Sequence, residues 1–295
     1  MNRNHLGVED PHPAVVRVGA VGEEELQAHL GVLEDLRDQA GDEGYEYELV
    51  QGQTLAEHLP GIGAHVPGAT YCPHDGHVNP LRLLRALHEG FNRNGGSYLP
   101  LSSIDRIQPL QPGGFELFSN GRRVAGCEKL VIAAGHGSVG LGAEVGIDVP
   151  IHPEQGQIVV TERSAVSLAY PTNMVRQTDE GGFLLGPSAR DVGFDADTNT
   201  GTLQEIVRRC ATAFPYLRQL RIQRSWAALR IMTPDGFPVY SQSEEFPGAF
   251  AFSCHSGVTL AAVHAQEVCQ WVLDGAIPPA YQCFAPDRFN VSKPN

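Results

Sequence analysis

The sequence predicts a mixed α/β fold in two parts, and three observations carry that prediction. The run Lys129 to Ala134 is short and apolar and leads into glycine and small residues, as strands buried on both faces of an α/β sheet do. After Pro150 the pattern changes to alternating strands at 157–161, 174–177 and 182–186, antiparallel in flavour. Apolar residues at helical spacing mark helices at 81–94 and 202–214 and after residue 260. With 295 residues, 42% hydrophobic and 19% charged, the chain builds one large or two medium cores.

Taken in order, residues 1–13 are polar, contain two prolines and read as a lead-in. Val15–Val18 is a short strand, and Gly22 followed by three glutamates opens an amphipathic helix to about Gln39, with Leu26, Leu30, Leu33 and Leu36 at helical spacing. A strand at 45–50 precedes a short helix, T-L-A-E-H-L-P, that Pro60 stops. Cys72, His74, Asp75 and His77 lie close enough for a metal, but one loop without a second half at recognisable spacing reads as a hydrogen-bonded turn. Asn79-Pro80 then starts the helix at 81–94, which carries Leu84, Leu87, His88 and Phe91 along one face and ends at Gly95-Gly96. Strands follow at 97–107, 115–119 and 129–134. Beyond Pro150 come the alternating strands, a helix at 202–214 stopped by Pro215, and a strand carrying Arg230. The strand A-F-A-F-S, ending at Ser253, leads into a long helix to about Leu273.

Charge and cysteine usage exclude several classes. The net charge of −13 and the lack of a Lys/Arg cluster argue against nucleic-acid binding, which needs a basic face. The six cysteines are scattered without a C-x-x-C pair and read as free thiols of a cytoplasmic protein. No apolar run approaches the roughly 18 residues of a membrane span, and the first ten residues lack the apolar core of a signal peptide.

Three stretches offer chemistry. In Ser225–Tyr240 a single guanidinium, Arg230, stands in an apolar strand before the turn Thr233-Pro234-Asp235-Gly236. Desolvating it demands an anion, so Arg230 either closes an internal ion pair or receives a ligand carboxylate or phosphate. Ala133–Ser138 and Ser253–Thr259 each deliver a buried strand into a glycine-containing turn, where backbone N–H groups can meet an anionic oxygen. The first of these nearly matches a nucleophile elbow around Ser138. His136 stands where that strained turn needs glycine, which leaves serine hydrolysis as a minor reading.

In order along the chain, D-G-H-V-N-P (75–80), L-V-I-A-A-G (130–135), G-Q-I-V-V-T-E-R (156–163), R-Q-T-D-E-G-G-F-L-L-G (176–186), D-V-G-F-D (191–195), W-A-A-L-R-I-M-T-P-D-G-F-P (226–238) and H-S-G-V-T-L-A (255–261) resemble the FAD-dependent D-amino-acid oxidase family. The branch is that of glycine oxidase and the flavin subunits of hydrogen cyanide synthase and amino-acid dehydrogenases. The resemblance implies an incomplete, Rossmann-like FAD-binding domain with an inserted substrate domain on a mixed sheet. It divides the chain into 1–65 as a boundary remnant, 66–150 and 231–295 as parts of the FAD domain, and 151–230 as the substrate domain. It implies FAD as cofactor, contacted by Ile104, Ala134, Gly135, His255, Ser256, Gly257, Val258, Thr259 and Leu260. Arg230 matches the arginine that grips the substrate carboxylate, and Met174 and Arg176 match the substrate-side wall.

The implied reaction oxidises the C–N bond of a small amino acid, glycine, a D-amino acid or a related amine, with hydride transfer to flavin and hydrolysis of the imine to a keto acid. No catalytic side chain and no metal are then required. Three residues depart from the family pattern: Gly137 where an aromatic residue is usual, Gln155 where a basic one is, and Cys254 where glycine is. The strand, G-x-G-x-x-G turn and helix that open the family are not found at the amino end, so the chain reads as a remainder of a longer flavoprotein or a diverged subunit. The alternative is a non-catalytic subunit that keeps the fold. A partner subunit or a second copy is the expected protein partner.

Overall fold

The computed structural model describes residues 15–18, 26–27, 30–31, 34 and 46–290, so most of the helix expected from Gly22 to Gln39 lies outside the described residues. The chain divides into two units. The first comprises Met1–Tyr98, Gly156–Arg190 and Ala196–Ala228, and the second Leu99–Gln155, Asp191–Asp195 and Leu229–Asn295.

In the first unit, β1 (Val15–Val18), β2 (Glu48–Val50) and β3 (Ala69–Cys72) form a sheet of order β1-β3-β2, with helix α1 (Gly52–His58) after β2. Helix α2 (Pro80–Arg93) begins where expected, because Asn79 Oδ1 accepts the free amides of Leu81 and Arg82 and Pro80 brings no amide needing a partner. Its apolar face differs from expectation. None of its residues is buried, and Leu84 and Phe91 are 64% and 49% exposed; His88 packs edge-on against Tyr98 at 4.7 Å and the Phe91 ring lies beside Gly96, but the stripe stays largely open.

The larger sheet runs β11-β8-β10-β9, with β8 at His152–Arg163, β9 at Val175–Gln177, β10 at Gly182–Leu185 and β11 at Ile222–Met232. Its strands alternate. Val159, Phe183 and Leu185 turn to one face and pack with Ile206, Cys210 and Phe214 from the helix α3 (Thr200–Ala213) and the residue that follows it. Asn199 caps that helix by accepting from Thr202 N at 3.1 Å, and Pro215 ends it.

The second unit holds two three-stranded sheets. One is a meander of β4 (Arg106–Pro109), β5 (Phe115–Ser119) and β6 (Arg122–Cys127). The strand expected from 97 to 107 is confined to its end, since Pro100 lacks an N–H and Leu101 is left-handed at φ 59°. The β5–β6 hairpin turns at Asn120-Gly121, both with positive φ, a pair that sequence reading passed over. The other sheet has order β12-β13-β7, with β7 at Leu130–Ile132, β12 at Val239–Gln242 and β13 at Ala249–Ser253. Here β13 runs antiparallel to β12 and parallel to β7.

After β7 comes the six-residue helix α4 (Ser138–Ala143). The last helix is not continuous. Ala261–Val263 and Cys269–Asp274 are α-helical, separated by a π-helical turn at His264–Val268. Two apolar clusters hold this unit: Ile107, Phe115, Ile132 and Ala249 in one, and Tyr240, Phe250, Val268, Trp271 and Tyr281 in the other.

Candidate functional site

Because β7 and β13 are parallel neighbours, their carboxyl ends leave the sheet at the same end, where ligands of open α/β sheets bind. The two glycine-containing turns that stand out in the sequence are therefore brought together. They border a cavity of about 470 Å³ lined by Ala133, Gly135, Ile231, Ser253, Cys254 and Gly257, with His264 and Cys269 from the last helix.

Gly135 has φ +60°, and a Cβ there would stand 3.2 Å from Ile231 Cδ1, so any side chain would be strained and would press on the wall. Gly135, Gly137 and Gly140 have the G-x-G-x-x-G spacing sought at the amino end, here with the first two between β7 and α4 and the third inside α4. The helix that follows is only six residues long. Ser138 is fully buried, and its Oγ accepts from Ala134 N at 3.0 Å, which leaves the serine-hydrolase reading without an accessible nucleophile.

Of the other cofactor candidates, His255, Ser256, Val258 and Thr259 are exposed in the loop after β13, and Leu260 is half-buried with its amide donating to Ser256 O at 3.0 Å. Ile104 does not line the cavity and packs instead against the cluster around Ile107.

Sequence reading missed the helical wall. His264, Val268 and Val272 recur every four residues, a helical spacing that was legible. His264 Nε2 lies 2.7 Å from Tyr240 Oη, burial lowers the imidazole pKa, and burial pushes the tyrosine up to about 12, so the pair is neutral near pH 7. Burial also raises the Cys254 thiol.

The lining fits a flat, largely apolar ring system with a polar edge. It is mostly aliphatic and small, glycine keeps it open at 135, and Ser253 Oγ is buried there without a hydrogen-bond partner among the described residues.

Arg230 and Glu154 both belong to the second unit. Arg230 Nη1 donates to Glu154 Oε1 at 2.9 Å, with the side chains 23% and 30% exposed. The internal partner that desolvation demands is thus present. Met174 and Arg176 belong to the first unit, so the three substrate-side candidates are divided between the units. Met174 is buried in the core, its carbonyl accepting from Gly186 N at 3.0 Å. Arg176 Nη1 donates to Val78 O at 3.0 Å, and burial lowers its pKa.

The turn after Arg230 is locked by Asp235, which receives Arg288 Nε at 2.7 Å and Nη2 at 3.0 Å and the Phe237 amide at 3.0 Å. The Arg288 hydrogen bond leads in holding the carboxyl down, at about 2. A carboxylate depressed in the folded state stabilises above its unfolded value of about 3.9 and loses that contribution as pH falls through the folded value. Thermal melts across pH should therefore show Asp235→Asn less stable than wild type above about pH 5, with the gap closing toward pH 2. A gap independent of pH would remove the ion pair from the account.

A family model described as FAD dependent oxidoreductase matches residues 10–271. An opine oxidase subunit of Agrobacterium tumefaciens (strain Ach5) is 35% identical over 274 residues, covering 93% of this chain and 73% of that protein. The opine oxidase subunit of the same name from Rhizobium meliloti is 36% identical over 276 residues, with the same coverage. The crystal structure of glycine oxidase from Geobacillus kaustophilus superposes with a TM-score of 0.83 at 23% identity, covering 95% of this chain and 75% of that one. At that identity the likeness speaks for the fold.

Proposed function

The chain belongs to the family of FAD-dependent oxidoreductases, and from that premise we propose that it oxidises the C–N bond of an amino acid or an N-substituted amino acid of the opine type. The observation that carries this reading is the convergence of the β7 and β13 turns on one apolar cavity in the second unit, with glycine where a side chain would close it.

Bound there, FAD supplies the two-electron acceptor for a hydride from the carbon that bears nitrogen. The chain's own residues do the rest. Ala133, Gly135 and Gly257 let backbone approach the ring system, and Ser253 Oγ offers a hydrogen bond to a polar edge. Arg230, oriented by Glu154, receives the substrate carboxylate and so selects the face of the carbon that reacts. The amine nitrogen's lone pair completes the imine as the hydride leaves, and water then splits the imine into a keto acid and an amine. In this reading the second unit carries the flavin.

A role as one subunit of a larger enzyme is supported by two observations: the two opine oxidase relatives are named as subunits, and α2 presents an apolar stripe whose leucines stay exposed. The reading is tested by absorption spectra of the purified chain before and after adding FAD, followed by turnover of glycine and of an N-carboxyalkyl amino acid with a dye as electron acceptor. Flavin-shaped bands that stay with the protein on gel filtration are expected. Gly135→Val, which puts a branched side chain at φ +60° against Ile231, should abolish them with the circular dichroism unchanged. Protein that stays colourless with FAD and oxidises neither amine would defeat the proposal.

A further inference from the structure

Helix α2 carries an apolar surface that the flavin chemistry does not use. At helical spacing Leu81, Leu84, Leu87, His88 and Phe91 fall on one arc, while Leu83, Ala86 and Gly90 fall on the side where the helix rests and are half-buried. The three leucines of the arc are 77%, 64% and 57% exposed. The arc continues past the helix end. Gly96 N donates to Phe91 O at 3.0 Å and turns the chain back, and the exposed Tyr98 ring meets His88 edge-on. From Leu81 to Phe91 the arc covers about 15 Å of helix axis.

The charges beside the arc select what covers it. α2 holds Arg82, Arg85 and Arg93 against Glu89 alone, an excess of two positive charges in a chain whose net charge is −13. Two of these arginines are already matched. Arg82 donates to Asp179 at 2.9 Å and Arg93 to Glu89 at 2.5 Å, whereas Arg85 is exposed and no carboxylate closes on it among the described residues. Arg85 stands one turn from Leu81, at the border of the arc. A second copy fits this border badly. Two antiparallel α2 helices on a two-fold axis would centre on residue 86, midway between Leu81 and Phe91, and would bring the two Arg85 side chains together. The net charge of −13 likewise opposes an anionic lipid surface.

We propose that α2 docks an amphipathic helix of a different polypeptide, one with aliphatic side chains at matching three- and four-residue spacing and a carboxylate on its flank for Arg85. Ridges of leucine at that spacing interlock with those of a facing helix and bury the arc along its length. Arg85 then gains the anion it lacks, which fixes the partner's register and rejects basic helices. The proposal rests on the subunit reading above and names its contact. Binding is read without flavin or turnover, so failure here leaves the flavin chemistry standing, and failure of the flavin chemistry leaves this contact testable.

The test titrates the full chain with two synthetic helical peptides that carry leucines at this spacing, one flanked by glutamates and one by lysines, followed by fluorescence anisotropy. At physiological ionic strength charges beyond about 8 Å are screened, so the contact rather than the net charge is read. The glutamate peptide is expected to bind roughly tenfold tighter than the lysine peptide. Arg85→Glu should reverse that order. The double variant Leu84→Gln with Leu87→Gln should weaken the glutamate peptide roughly a hundredfold or more. All three side chains are exposed, so the melting temperature should stay unchanged in both variants. Equal affinity for the two peptides, no measurable binding, or an unreversed order in Arg85→Glu would each overturn the proposal. So would self-association in sedimentation equilibrium, or binding to phosphatidylglycerol vesicles, that the leucine double variant abolishes.

Discussion

In the flavin-loaded enzyme, Arg230→Ala should lower kcat/KM by roughly 30- to 3,000-fold with the flavin spectrum intact, the range expected when one partner of a half-buried, hydrogen-bonded charge pair is removed. The difficulty in reading that loss is Glu154. Arg230 donates to it at 2.9 Å, so truncating the arginine also strands a carboxylate that is only 30% exposed, and a purely structural pair would show a loss too. The double variant Arg230→Met with Glu154→Gln separates the roles, because it removes both charges and leaves neither buried alone. If Arg230 serves only the fold, stability and turnover recover together. If it grips the substrate, stability recovers and turnover does not, and KM for a carboxylate-bearing amine stays high. Recovery of turnover in the double variant removes Arg230 from substrate binding.

The parts of the fold that were legible from sequence are those where a local rule and burial agree. The β7 run, the Asn79-Pro80 helix start and the Pro215 stop each combine one chemical signal with one packing outcome. What escaped notice lacks that agreement. Val239–Gln242 is four residues with a polar second half, and nothing local distinguishes it from the turn before it. The α2 stripe misleads for the opposite reason. Leu84, Leu87 and Phe91 have core periodicity, and periodicity reports an apolar face without saying what covers it.

The candidate site divides similarly. The two turns at 133–138 and 253–259 are visible as glycine after a buried strand, but their meeting at one cavity depends on the parallel β7–β13 pairing, a contact across more than a hundred residues that no local pattern encodes. The glycines around Ser138 suggest a failed nucleophile elbow, although the spacing of 135, 137 and 140 is also that of a phosphate-binding turn. Arg224 stands outside the motifs, and Arg163 and Trp226 stand only at the ends of two of them. Only the register that places Gly182 beside Arg163 makes a cavity of them, and register depends on tertiary pairing.

Trp271 is the residue whose truncation should cost the second unit most. It is 1% exposed, its ring packs against Phe252 and Phe250 at centroid distances of 5.4 and 6.1 Å, and its Nε1 donates to Gln242 Oε1 at 2.9 Å. It thereby ties the last helix to β12 and β13 together, and β13 delivers the 254–257 loop to the cavity. Trp271→Ala removes the ring and the hydrogen bond at once, leaves a void that rigid sheet neighbours cannot fill, and should destabilise by about 3–5 kcal/mol in chemical denaturation. Trp271→Phe keeps most of the packing and should cost less than half as much, the remainder reporting the unpaired Gln242 oxygen. Any FAD bound at the cavity should be lost in Trp271→Ala before the unit unfolds, because the loop depends on the helix and β13 keeping their places. A Trp271→Ala protein within about 1 kcal/mol of wild type would mean that the aromatic cluster around Tyr240 does not hold this unit together.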